Sequence, residues 1–418
     1  MSSPSRSLTP GPRNSGLTEW NVPLSAPDFS VDEVRAVAET LSSGWWTAGP
    51  EVKTLEEEFA SKLGVRHAVA VSSGTAALHL AFLALGLKEG EEALTPSLTF
   101  VAAPNMMLHI GASPVFADVE SINEPVVSAA TLEQALTPAT RGICVTHYGG
   151  YPCKMDEIMK FARRRKLWVI EDAAHAPGAS WKGVPCGRWG NIAIFSFFGN
   201  KNITCAEGGM AVTDNGGLAR RMRLLRSHGM NSVTWDRFRG HAFSYDVTMP
   251  GFNCRLDDLR ASLLRTQLRS LDRVNALRAQ RAKWYRELLG GDARWSLPFD
   301  GYEGVSSHHL FTVVLGEKIS REKVMRHMKE RGVQTSIHYP PAHRFSCYRK
   351  LNLNHALLTN TEKLGRRILT LPMYPGLTEK QVSFVAETFR EAVDIRQPPK
   401  TSESRLATET KAEFTRGK

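Results

Sequence analysis

No two of the six cysteines in this 418-residue sequence are spaced CxxC. Cys144, Cys153, Cys186, Cys205, Cys254 and Cys347 stand apart, so neither a metal site nor a disulfide framework is expected, and a reducing cytoplasmic setting is the simplest home. Long apolar runs are also missing. The most apolar stretch, 75–87, is too short to cross a bilayer and is interrupted by His79, while the opening MSSPSRSLTPGPRNSG lacks the apolar segment of a signal peptide. No membrane association is expected. Acidic residues are in deficit, 42 Asp and Glu against 53 Lys and Arg, leaving a formal charge of +11. Such a balance suits nucleic acid, an acidic surface or a polyphosphate-bearing small substrate. No helix-turn-helix, zinc-finger or RNA-binding signature accompanies it, which argues against nucleic acid.

What remains is ordinary globular composition, 42% hydrophobic and 23% charged, long enough for two or three domains. Residues 1–17 and 396–418 are rich in small and polar side chains and read as disordered tails. They carry part of the charge, and subtracting them leaves about +6 for the body. Within 18–250, short β-rich runs alternate with helical patterns: HAVAV (67–71), a helix from Thr75, SPVFADV (113–119), GICVTH (142–147), a helix near 154–165, LWVIED (167–172), IAIFSF (192–197) and GMAVTD (209–214). That rhythm predicts one large α/β domain around a mostly parallel sheet. From 251 to 395 the pattern changes. Leucines at helical spacing over 256–289 predict one long helix, followed by a smaller α+β unit containing HHLFTVVL (308–315).

Three segments carry chemistry. Ser72-Ser73-Gly74-Thr75 lies between a predicted strand and a predicted helix, where small residues and free N–H groups can cradle a phosphate, or where a serine simply caps the helix. Glu171-Asp172 ends an apolar strand, at the sheet edge where open α/β folds bind ligands; either acid could equally cap the next helix. Lys201 sits between Asn200 and Asn202 after an aromatic-rich strand, and a lysine of lowered pKa can form a Schiff base with an aldehyde. A phosphate cradle, a strand-end acid and such a lysine are together the parts of a pyridoxal 5′-phosphate site.

Eight segments in one order, among them SGWWTAGPEVKTLEEEFA (43–60), SSGTAALHLA (72–81), TPSLTFVAAPN (95–105), EDAAHAPGA (171–179), FSFFGNKNITCAEGGM (195–210), GFNCRLDDLRA (251–261) and SIHYPPAHRFSCY (336–348), resemble the DegT/DnrJ/EryC1/StrS sugar aminotransferase family. The likeness implies a fold-type I transferase, pyridoxal phosphate as cofactor, and a homodimer with shared sites. It implies Lys201 as the cofactor's lysine and proton carrier, Asp172 opposite the pyridine nitrogen, Phe100 on the ring and His175 near the ring hydroxyl. Gly74, Thr75 and Ser196 would bind the phosphate, and Asn253 would reach the neighbouring subunit's cofactor. Trp46, Thr47, Arg255, His338, Tyr339 and His343 would meet a nucleotide-linked keto sugar, with L-glutamate as the expected amino donor. Lysine at 201 disfavours the family's dehydratases, which carry histidine there. Two departures stand out: Cys205-Ala206 where relatives commonly have Thr-Gly, and Cys254 in place of an aromatic. If the relatives' glycine needs a positive φ, Ala206 bears the strain.

Overall fold

The computed structural model describes residues 20–231, 240, 244–351, 353 and 356–395. Both expected tails lie outside the described residues.

Seven strands form the main sheet: β1 (His67–Val71), β2 (Glu92–Pro96), β3 (Ser113–Ala117), β4 (Thr140–Thr146), β5 (Trp168–Asp172), then, after a small hairpin of β6 (Ser180–Trp181) and β7 (Val184–Pro185), β8 (Ile192–Ser196) and β9 (Gly209–Thr213). Their spatial order is β1-β9-β8-β5-β4-β2-β3. The pairs from β8 through β5, β4 and β2 to β3 are parallel, and β9 runs against both β8 and β1. Parallel strands covered on both faces read as continuous apolar runs, and Val169, Ile170, Ile192 and Ile194 are buried accordingly. Within this sheet, β2 is the strand the apolar pattern did not reveal. EALTP has two apolar residues besides proline, and its register comes from β3 and β4 on either side.

Helices cover both faces. The helix α3 (Gly74–Leu85) packs its apolar length between the sheet and α4 (Ala102–His109). On the other face, α2 (Pro50–Leu63) packs with β1 and with the helix that begins at Asp258. The crossovers deliver the C-terminal ends of β1, β2, β4, β5 and β8 to one edge of the sheet, where open α/β folds place their ligands.

The single helix expected over 256–289 is two. Numbering after α1 (Val31–Ser42), α5 (Ala129–Ala135), α6 (Met155–Arg165) and α7 (Gly216–Arg226), α8 runs Asp258–Arg269 and α9 Leu271–Leu289, parted at Ser270 with φ −92 and ψ 0. The break lets the two halves follow different partners: α8 lies on α1 and α2, whereas α9 lies on the last helix, Glu379–Asp394. A three-stranded antiparallel sheet of β10 (Trp295–Ser296), β11 (Phe311–Leu315) and β12 (Ile368–Leu371) organises the C-terminal half. The N-terminal segment joins it: Val22 donates to Gly332 O at 3.1 Å and packs in that half's apolar cluster. Among the described residues, no helix is long and apolar enough to cross a membrane.

Candidate active site

At the end of β1 the chain turns into α3 with Ser73 as N-cap, its hydroxyl accepting from Ala76 N at 3.1 Å. Capping and cradle therefore coexist, because the N–H groups of Gly74 and Thr75 precede the intrahelical ladder. Gly74 abuts the end of β8, and a Cβ added there would fall 2.9 Å from Ser196 Cβ. Only glycine lets the helix start approach the Ser196 hydroxyl so closely. The positive end of α3 and a hydroxyl then converge on one point, as anion binding requires.

β5 delivers its two acids to opposite faces, as successive strand residues must be. Neither caps a helix, which corrects that reading. Glu171 is wholly buried and accepts from the amides of Gly187 (2.9 Å), Trp189 (2.8 Å) and Gly190 (2.9 Å) and from His147 Nε2 (3.1 Å). Cys153 N donates to His147 Nδ1 at 3.1 Å, so the ring proton lies on Nε2, pointing at Glu171. This is a structural bolt. The cluster of His147, Glu171 and Cys186 has metal-ligand types, but its carboxylate is already saturated by protein donors. Among the described residues Asp172, on the other face, accepts only from Ala174 N at 3.1 Å. Burial pushes its carboxyl up, and the Ala174 amide and the charge of Lys201 pull it back.

Lys201 lies on the loop after β8, half-buried. Desolvation lowers its amine to about 8, with Arg278 acting in the same direction and Asp172 against. His175, in the turn that follows β5, is buried and held neutral by that burial. Gly149 N donates to its Nδ1 at 3.3 Å, so the ring proton is on Nε2 and is directed at Tyr339 Oη, 3.0 Å away. The phenol accepts there, leaving its own proton free to turn into the site. Phe100 follows β2 with its ring 55% exposed and 6.0 Å from that of Tyr339.

The remaining residues expected in the site are distributed differently. His338 sets its ring edge-to-face with that of Tyr339, 5.0 Å between centres, and its Nδ1 lies 2.9 Å from Thr370 Oγ1. His343 is bound between Ser97 Oγ and Glu362, each at 2.7 Å, in a neighbouring cleft of about 570 Å³ that Phe116, Arg344, Tyr348 and Arg349 also line. Asn253 and Arg255 flank Cys254, whose carbonyl accepts from Ser72 N at 2.9 Å; the segment runs beside the α3 turn with Asn253 exposed. Trp46 and Thr47 are exposed on the α1–α2 connection, with Trp46 Nε1 donating to Leu41 O at 3.0 Å. Among the described residues, no contact joins them to Lys201. Sequence reasoning passed over Asn202, His309 and His147, although an amide beside the lysine and a His-His pair before an apolar strand were visible signals.

A model of the DegT/DnrJ/EryC1/StrS aminotransferase family matches residues 27–390. The chain belongs to this family. PseC of Helicobacter pylori, an aminotransferase involved in the biosynthesis of pseudoaminic acid, superposes with a TM-score of 0.84 at 26% identity, covering 89% of this chain and 99% of that one. DesV of S. venezuelae gives 0.80 at 34% identity over 88% and 95% of the two chains. DesI, solved in the presence of its TDP-sugar product, gives 0.80 at 31% over 89% and 92%. This protein is thus a pyridoxal phosphate-dependent sugar aminotransferase of fold type I. The aminotransferase has side chains that fit that cofactor: an anion cradle that a Cβ at Gly74 would fill, a buried acid with one N–H partner among the described residues, an amine of depressed pKa and an uncovered aromatic face.

Proposed function

We propose that the aminotransferase moves an amino group from L-glutamate to the keto carbon of a dTDP-linked 4-keto-6-deoxyhexose, giving the 4-amino-4,6-dideoxy sugar. The reading rests on the pairing of an amine lowered to about 8 with a buried carboxylate at the sheet's ligand edge, beside the Gly74–Ser196 cradle. When bound, pyridoxal phosphate supplies the electron sink that both half-reactions need. Asp172 holds a negative charge for the proton of the pyridine nitrogen, and low local polarity strengthens that attraction. Gly74, Thr75 and Ser196 bind the phosphate, Phe100 covers the ring, and His175 with Tyr339 borders its hydroxyl side. With its amine near 8, about a tenth of Lys201 is neutral at pH 7, enough to take up and return a proton without a large barrier. Tyr339 turns its free hydroxyl proton toward an oxygen of the sugar.

The cleft shared by Phe116, His343, Arg344, Tyr348 and Arg349 offers aromatic faces and guanidinium groups suited to a nucleoside diphosphate. DesI with its TDP-sugar product supports the choice of carrier. The working form is a homodimer with shared sites. In support, Trp46, Thr47 and Asn253 are exposed without reaching Lys201, and Phe29, Val31, Val34, Leu41 and Trp46 leave apolar surface open across 29–46. A reducing cytoplasm accords with six unpaired cysteines, four of them buried. The chain divides functionally into a cofactor unit, 18–250, and a smaller unit, 251–395.

Incubation with glutamate and a panel of keto sugars, with products assigned by NMR, tests this reading. A 4-amino product that disappears with Lys201→Ala is expected. Amination solely at C3, or of a keto-cyclitol alone, would refute the substrate assignment.

A further inference from the structure

Lys201 is placed by very little of its own. Its N–H donates to Phe198 O at 2.9 Å, and no hydrogen bond engages its Nζ among the described residues. The next residue is the anchor. Asn202 is buried, and its Nδ2 donates to Ser307 O at 2.7 Å and to Asn275 Oδ1 at 2.8 Å. A carbonyl can only accept, which fixes the amide's orientation and spends both its hydrogens. Asn202 Oδ1 must then accept, and it lies 3.0 Å from Nδ1 of buried His309, so neutral His309 carries its proton on Nδ1. Asn275 agrees, because its own Nδ2 donates to Pro177 O at 2.9 Å and leaves Oδ1 to accept.

The surroundings make room for this cluster. Gly178, at φ +79, would place a Cβ 2.6 Å from Asn275 Nδ2, and Gly150 would place one 2.4 Å from Ser307 Oγ. Ser307 Oγ in turn donates to the His175 carbonyl at 2.6 Å, and the His309 ring centre is 4.4 Å from that of His175. One amide thus joins the lysine loop, α9 and the segment entering β11. Breaking such a buried junction strands donors and acceptors away from water.

We propose that Asn202, clamped by Asn275 and His309, is a positioning residue that fixes the Lys201 amine against Asp172 and closes it from water by bolting its loop to the C-terminal half of the chain. The inference rests on the assignment of Lys201 above. The charged and titratable groups that act on or feel the amine are Asp172, Arg278, His175, His309 and His338. Loosening the clamp admits water among them, so the amine returns toward ordinary lysine behaviour.

The test is competitive labelling of the full-length, cofactor-free protein with acetic anhydride across pH, read by peptide mass spectrometry with exposed Lys53 as the internal reference. The wild-type profile for Lys201 should have its midpoint near 8. Asn202→Ala and His309→Ala should each raise it by about one unit, the double variant no further than either. His309→Asn, which keeps a donor where Nδ1 stood, should retain the wild-type midpoint. An unmoved midpoint in folded Asn202→Ala overturns the proposal; if that variant does not fold, equal midpoints in His309→Ala and His309→Asn overturn it instead. Borohydride reduction of the holoenzyme separates the two assignments. Cofactor trapped on another lysine strikes out the reading of Lys201, whereas cofactor on Lys201 with an unmoved midpoint refutes the clamp alone.

Discussion

Glu171 and Asp172 are adjacent in sequence and opposite in environment: among the described residues, four donors saturate the first and one amide serves the second. The alternation of side chains along a strand turns one dipeptide into a saturated bolt and an acid with spare acceptor capacity. Glu171→Gln places an NH₂ group against N–H donors and should cost about 2–4 kcal/mol in denaturant unfolding. Asp172→Asn removes a carboxylate whose pKa burial has raised, so stability should hold or rise while amination falls at least a hundredfold. Loss of stability in both variants, with activity retained in Asp172→Asn, would reverse these roles.

The cradle at Gly74 depends on the absence of one atom. Gly74→Ala puts a Cβ 2.9 Å from Ser196 Cβ and should weaken cofactor affinity about tenfold, or ~1.4 kcal/mol, with circular dichroism unchanged. Ser196→Ala, which removes only the hydroxyl, should weaken that affinity as well. Fluorescence titration with pyridoxal phosphate measures both.

Ala206 sits at φ 69, where a Cβ meets backbone that glycine avoids, so the departure seen in the sequence carries the expected strain. Ala206→Gly should stabilise the protein by ~1 kcal/mol in urea unfolding, since the residue is exposed and its N–H keeps Thr204 Oγ1 at 3.0 Å. A destabilised variant would show that backbone freedom in the unfolded chain outweighs the strain.

Tyr339→Phe deletes the hydroxyl that the His175 Nε2 proton addresses. We expect kcat to fall about tenfold or more with cofactor affinity nearly unchanged, because the phosphate cradle and Asp172 are untouched. A change confined to cofactor affinity would assign the phenol to the ring and not to the sugar.

Much of the large sheet was legible because buried parallel strands advertise themselves as apolar runs; ICV in β4 and WVI in β5 are continuous in this way. EALTP was not, since neighbouring strands impose its pairing. The helical spacing over 256–289 was real, but nothing in that spacing marks Ser270, where the choice of two packing partners breaks the rod. Lys201, Asp172 and the Gly74 turn stood out as residue types in order. Asn202 and His309 did not, because their partners come from positions 73 to 107 residues away.

The sequence by itself determined the class of chemistry: a lysine, an acid and a glycine turn at family spacing, on a chain patterned for a parallel α/β sheet. Tertiary structure alone decided which acid faces the site, that Tyr339 meets His175 while His343 binds Ser97 and Glu362, and that an amide beside the lysine is pinned by the C-terminal half. Local spacing fixes residue types and periodicity, whereas orientation and protonation follow from burial and from hydrogen-bond partners that only the folded chain brings together.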